Sequence, residues 1–403
     1  MIKELTSGCI QADALPANAH PTLHWADVAG QSVHSNSIWD IKSELHFFMK
    51  GRGAAFQALT SLRDPRGGEV LLPAFHCPSV VEPVLRAGYQ PRFYGINRDL
   101  SIDVSSLEAQ VSQRTAAIVV VNYCGFSAGP AVLSRIRGAS NCCIIEDWAH
   151  SFLQSAPLRL AGSVGDVMLY SFSKLLPTYF GGGLLIKNLD VLKRLPSQRK
   201  MCVSEGFRVL KRLAEEVVEN SQDTPIRAAL LGLERLRVSL RQINDDGAPK
   251  GFGGERSPLE SPDHFFYTRI PWFAKFILGK CNLGAIAAHR RRNYTIFDKI
   301  LVETDQVKKV FPYLPDDVCP WAFPLLVKGR GKYDQVLRSQ GVPVYTFGET
   351  LHPCVFQADP SIQESAIYLS ESLLLLPIHQ CLTEDTVMHF AEKVNALFKP
   401  RRG

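Results

Sequence analysis

The sequence predicts an α/β protein: a large unit around a mostly parallel central sheet, followed by a smaller C-terminal α/β unit. Three observations predict it. Short apolar runs of strand length alternate with helical stretches between about residues 51 and 187, the pattern of a sheet whose strands are joined by helices. The chain has 403 residues, enough for one large core and one smaller one. From about residue 190 to 264 the alternation yields to a basic, helix-rich stretch ending in the loop-like "NDDGAPKGFGGERSPLESPDH", and a second α/β pattern follows. These shifts place an N-terminal arm at residues 1–40 and the large unit at 41–275, with a basic helical insertion at about 190–264. The small unit takes residues 276–403.

The elements follow in order. "GRGAAFQALTSL", residues 51–62, reads as a helix opening at a glycine pair. "EVLLPAF" reads as a strand, "SVVEPVLRAG" as a helix, "QPRFYGI" as a strand, and "LSIDVSSLEAQV" follows them. The strands "AAIVVVNY", "NCCIIED", "DVMLYSF" and "GGLLIK" come next. In such sheets ligands bind beyond the carboxyl ends of strands, where Asp147 and Ser171 sit. Within the insertion, Ile226, Leu230, Leu233, Leu236 and Leu240 keep helical spacing, although Arg237 intrudes on that face. A helix packed on the body with a solvated basic side is the plainer reading, and a membrane-surface helix the other. "AIAAHRRRNYTIFDKIL" reads as a long helix at the start of the small unit.

Composition narrows the function classes. Hydrophobic residues make up 46% and charged residues 21%, as in ordinary soluble globular proteins. The net charge of +6 suits an anionic small molecule, and without clustering it gives no case for nucleic acid. No run has the length of a signal-peptide core or a membrane span. Ten cysteines are scattered without a CxxC pair, several in apolar strands. That distribution points to reduced thiols in a cytoplasmic protein, with neither disulfides nor a metal site.

One lysine needs a reason. In "DVMLYSFSKLLPTYFGGGLLIK", Lys174 lies between two apolar runs, where a charge is costly to desolvate unless its amine is used. Pyridoxal phosphate requires a lysine for its Schiff base and a carboxylate to keep its ring nitrogen protonated. It also requires backbone N–H groups, best supplied at a helix N-terminus, for its phosphate. "CCIIEDWAH" offers Asp147, with His150 as a nearby polar contact, and "KGRGAAFQAL" offers Gly51 and Arg52 at a helix start. Each piece alone has a plain structural reading: a turn glycine, a capping aspartate, a snorkelling lysine. Their joint order points to the cofactor. "GRGAAF" does not complete the GxGxxG turn of a dinucleotide-binding protein.

With those motifs in hand, the chain resembles the DegT/StrS aminotransferases, enzymes of the fold-type-I pyridoxal phosphate class that mostly aminate nucleotide-linked keto sugars. The resemblance runs from about Gly51 to the C-terminus, interrupted by the basic segment. It is carried by "LLPAFHCPSVVEPVLRAGYQPRFYGINRDLSID", "IIEDWAHSF", "GDVMLYSFSKLLPTYFGGGLLI", "HFFYTRI" and "LLLLPIHQCLTEDTVMHFAEKV". It implies that Lys174 binds the cofactor covalently and that Asp147 pairs with the ring nitrogen. His150 would lie near the phenolic oxygen, with Gly51, Arg52 and Ser171 at the phosphate. It also implies a homodimer with the site at the interface, to which Arg269 is expected to contribute from the partner. Its substrates would be an amino donor such as glutamate and a keto sugar nucleotide, in polysaccharide or secondary-metabolite biosynthesis.

The chain departs from the family pattern at several places. The interval between Ser171 and Lys174 is short, and the basic insertion is long. Tyr267 replaces an asparagine expected at the phosphate. Where an aromatic ring usually stacks on the cofactor, the chain has Cys77 preceded by His76, so the imidazole is expected to stack instead. An amino-acid transaminase, a lyase and a non-catalytic regulatory relative remain open at this stage.

Overall fold

The computed structural model describes residues 21, 45–62, 68–139, 141–162, 164–201, 264–345 and 347–399. The expected arm, apart from residue 21, and most of the basic insertion, including its apolar stripe, lie outside the described residues.

A seven-stranded sheet organises the first part of the chain. Its strands are β1 (Leu45–Phe48), β2 (Glu69–Pro73), β3 (Gln90–Tyr94), β4 (Thr115–Val121), β5 (Cys143–Trp148), β8 (Val167–Ser171) and β9 (Gly182–Ile186). The spatial order is β1-β9-β8-β5-β4-β2-β3. Strands β3, β2, β4, β5 and β8 run parallel, and β9 is antiparallel to both β8 and β1. The sheet is therefore mostly parallel, as expected, with one reversed strand. β2 and β5 are buried along their whole lengths, which explains why they read as continuous apolar runs without alternation. β1 was not legible, because four residues are too few to show a period. The same holds for the small hairpin of β6 (Leu153–Ser155) and β7 (Leu158–Leu160).

The chain leaves β2 for β3 on one side and returns to β4 on the other. That reversal opens a crevice at the carboxyl ends of β2 and β4. Helix α1 (Gly51–Thr60) lies across it, joining β1 to β2. Two glycines allow α1 to sit this low. A Cβ on Gly182 would lie 2.4 Å from the Lys50 carbonyl oxygen, and one on Gly53 only 2.2 Å from that of Phe265. Gln57 extends the second contact by donating to the Phe266 carbonyl at 2.9 Å.

The later part of the chain builds a three-stranded antiparallel sheet in the order β10-β11-β12. Its strands are β10 (Val307–Lys309), β11 (Ala322–Val327) and β12 (Leu373–Pro377). The long helix expected from "AIAAHRRRNYTIFDKIL" is present as Leu283–Ile300. This part has its own apolar cluster, with Tyr294, Phe297, Phe323, Leu376 and Phe390 among its buried members. Among the described residues no cysteine is in a disulfide. Among those residues, no helix is long and apolar enough to cross a membrane.

The glycine contacts predict opposite outcomes for two alanine substitutions. Gly53→Ala forces its methyl into a carbonyl and should cost about 1–3 kcal/mol or more. Gly138, in the helix Pro130–Ala139, has open space where a Cβ would go. Gly138→Ala should be neutral or stabilise by up to about 1 kcal/mol. Urea unfolding of the cofactor-free variants measures both.

Candidate active site

A cavity of about 270 Å³ opens at the carboxyl ends of β2, β4, β5 and β8, beside the first turn of α1. Seven of the residues expected at a site line it: Gly51, Arg52, Cys77, Asp147, His150, Ser171 and Lys174. His76 and Arg269 do not.

Lys174 ends a single 3₁₀ turn, Phe172–Lys174, that directly follows β8. Its exposed area opens on the cavity, and protein surrounds the amine on the other sides. Nζ lies 4.9 Å from the centre of the Trp321 ring and 5.7 Å from that of Phe347. Among the described residues it makes no hydrogen bond. Burial holds the amine below the ordinary lysine value, while Cys77, Asp147 and Cys124 pull the other way.

Asp147, at the end of β5, is only 4% exposed. One carboxylate oxygen accepts from the Ala149 N–H at 2.8 Å. The other makes no hydrogen bond among the described residues. Burial pushes the carboxyl above its usual range, against the pull of the Ala149 N–H and Lys174. A cationic N–H in the cavity would relieve that carboxylate.

His150 Nδ1 accepts from the Cys124 N–H at 3.0 Å. The neutral ring therefore carries its proton on Nε2. Burial first, and then Lys174, keep the imidazole neutral. Trp321 stacks on it at 4.3 Å, and Phe347 meets it edge-on at 4.5 Å.

The first turn of α1 stands at the edge of the cavity. No side chain caps the helix, and its first turn holds no acidic residue. The Gly53 and Ala54 N–H groups turn back to the Lys50 carbonyl, so Gly51 and Arg52 come first at the cavity. Arg52 is held by Glu82 at 3.5 Å.

His76 corrects an expectation. After β2 the chain folds this ring back on its own strand, where Nδ1 contacts the Pro73 carbonyl at 2.7 Å. The imidazole stacks on Phe93 at 5.6 Å, with planes 8° apart. It is a core residue, and Cys77 beside it faces the cavity instead. Arg269 lies outside its own chain's cavity, exposed, and forms a bridge with Phe48.

Three lining or bordering residues escaped the sequence reading. Lys50 lines the cavity, with Nζ 2.6 Å from the Tyr179 carbonyl and over the Phe180 ring. A cation directly before the helix glycine was the available signal. Trp321 and Phe347 come from the small-sheet part of the chain, in stretches that carry no motif.

A profile of the DegT/DnrJ/EryC1/StrS aminotransferase family matches residues 50–238. Over those residues the chain is similar to this family. A spore coat polysaccharide biosynthesis protein, SpsC of Bacillus subtilis, is 32% identical over 145 residues, covering 35% of this chain and 37% of the relative. A UDP-N-acetyl-3-dehydro-α-D-glucosamine 3-aminotransferase of Acidithiobacillus ferrooxidans is 30% identical over 139 residues, covering 34% and 38%. The chain thus spans well under half the length of these relatives. Among solved structures, Helicobacter pylori PseC, an aminotransferase of pseudoaminic acid biosynthesis, shares the fold at a TM-score of 0.61. It is 18% identical and covers 88% of this chain and 86% of its own.

The buried histidines His76 and His150 predict a pH dependence of stability. In the fold both stay neutral, His76 pushed down to about 4 by burial, whereas the unfolded chain protonates them below about 6.5. The unfolded state then binds more protons, so their contribution is whole above pH 6.5 and is lost as pH falls. Each should steepen the loss by up to about 1.4 kcal/mol per pH unit. His76→Gln should flatten the slope of the urea midpoint between pH 6.5 and 4. An unchanged slope means that His76 is protonated in the fold.

Proposed function

We propose that this chain is a pyridoxal phosphate-dependent aminotransferase that moves an amino group from an amino acid, glutamate being the expected donor, to a keto carbon of a nucleotide-linked sugar. The observation that carries the reading is the meeting of four groups in one cavity. These are a lysine amine whose charged form is disfavoured by burial, a carboxylate short of partners, a neutral imidazole with a free Nε2–H, and an uncapped helix N-terminus. Pyridoxal phosphate is the cofactor of the family, and this donor set fits it. The relatives named above support the sugar-nucleotide substrate class.

The cofactor, when bound, supplies an electron sink that makes a neighbouring C–H acidic. The chain's own groups do the rest. Gly51, Arg52 and Ser171 would hold the phosphate end. The free oxygen of Asp147 would accept from the protonated ring nitrogen and keep it charged. His150 would donate from Nε2 to an anionic oxygen on the ring. Cys77 would cover one face of the ring. Lys174 would take up a proton at Nζ and return it, which requires an amine that loses its proton readily. Trp321 and Phe347 keep water from that proton. The same proposal includes a homodimer in which Arg269 reaches the partner's cavity. It also assigns residues 41–275 to the cofactor-binding unit and 276–403 to the smaller one.

Borohydride treatment of the yellow, loaded protein should leave a pyridoxyl group on Lys174, located by peptide mass spectrometry. Glutamate should bleach the colour, and a keto sugar nucleotide should restore it. Lys174→Ala should lose about 10²–10⁴-fold in turnover. Asp147→Asn should load cofactor yet turn over far more slowly per loaded molecule. A label on another lysine, or normal turnover by Lys174→Ala, overturns the assignment.

A further inference from the structure

Arg290, in the long helix Leu283–Ile300, has no exposed surface. A guanidinium in such a place is costly unless its donors are satisfied. Among the described residues it has no carboxylate partner. Three acceptors take its protons instead. Nη1 donates to the Trp321 carbonyl at 3.0 Å, Nη2 to the Leu175 carbonyl at 3.1 Å, and Nε to Gln380 Oε1 at 3.2 Å. Gln380 in turn donates from Nε2 to the same Leu175 carbonyl at 3.0 Å.

Those carbonyls flank the reacting amine. Leu175 follows Lys174 in the chain, and Trp321 carries the ring 4.9 Å from Nζ. The Trp321 N–H donates to the Cys124 carbonyl at 2.8 Å, and the Cys124 N–H donates to His150. Gly125 permits that approach, with φ of +93° and the Cys319 carbonyl 2.6 Å from where a Cβ would stand. A continuous chain of hydrogen bonds thus runs from the lysine turn through Arg290 and Trp321 to His150. A planar fork satisfies two carbonyls from different parts of the chain at fixed spacing, which a lysine ammonium at the same place cannot do.

We infer that Arg290, with Gln380 beside it, is a positioning residue that locks the Lys174 turn and the Trp321 ring at one separation, so that the ring covers the amine. The inference rests on Lys174 being the reactive amine. It predicts that loosening the fork lets water reach Nζ. The charged and titratable groups around that amine are Asp147, Cys77, Cys124 and His150, and none is altered by changing Arg290.

The test is competitive labelling of Lys174 by acetic anhydride across pH in the cofactor-free protein, read by mass spectrometry. The pH midpoint reports the amine's own titration and is independent of how open the cavity becomes. Arg290→Met and the milder Gln380→Leu should both move the midpoint upward, the first further. Both should also slow cofactor trapping at Lys174, by about tenfold or more for Arg290→Met. Val394→Ala, in the small-sheet core and remote from the cavity, should lower the unfolding temperature and leave the midpoint in place. If both variants keep the original midpoint, or if Val394→Ala moves it as far, the positioning role is wrong. If the unsubstituted protein traps no cofactor at Lys174, the proposed function fails. The midpoint comparison still decides the role of Arg290.

Discussion

Burial of the Lys174 amine beneath the Trp321 ring sets the terms for the elements around it. A fully hydrated lysine is protonated at neutral pH and cannot act as a nucleophile. Two opposing effects meet at Nζ. The aromatic face and Asp147 favour the cation, while exclusion of water opposes it, and exclusion of water prevails. The charge is therefore destabilised without being forbidden. An amine that must take up and release a proton within one cycle needs that balance.

The fold supplies the balance by bringing distant stretches to one point. Parallel strands deliver Asp147 and Ser171 at their carboxyl ends, and the reversal of strand order leaves the crevice there. The reversed strand β9 is glycine-rich where it passes under the first turn of α1, which lets the helix N-terminus reach the cavity. The smaller antiparallel sheet contributes the cover, because Trp321 stands immediately before β11. Neither part of the chain completes the site alone. The Cys124 turn is the seam, with its N–H bonded to His150 and its carbonyl bonded to the Trp321 N–H.

The parts legible in the sequence were those whose chemistry is local. Strands buried on both faces show as unbroken apolar runs, and Asp147, Ser171 and Lys174 show because polar groups at the ends of such runs need a reason. The parts that were not legible depend on tertiary placement. Nothing in "FHCPS" tells which of His76 and Cys77 faces the ligand. The turn decides it, and a carbonyl on the preceding strand captures the imidazole. Trp321 and Phe347 carry no signal in the sequence, since being core on one side and cavity wall on the other leaves the same apolar pattern as a core aromatic. Arg290 was hidden in the triplet of arginines at 290–292. The helix buries the first of them, and the acceptors that satisfy it come from three other parts of the chain.

The most direct measurement of the central claim is a crystal structure of the protein grown with pyridoxal phosphate. The account predicts continuous density from Lys174 Nζ to the cofactor, the phosphate at the Gly51–Arg52 turn, and the free oxygen of Asp147 against the ring nitrogen. A cofactor bonded to Lys50, or one whose phosphate lies away from the N-terminus of α1, would contradict it.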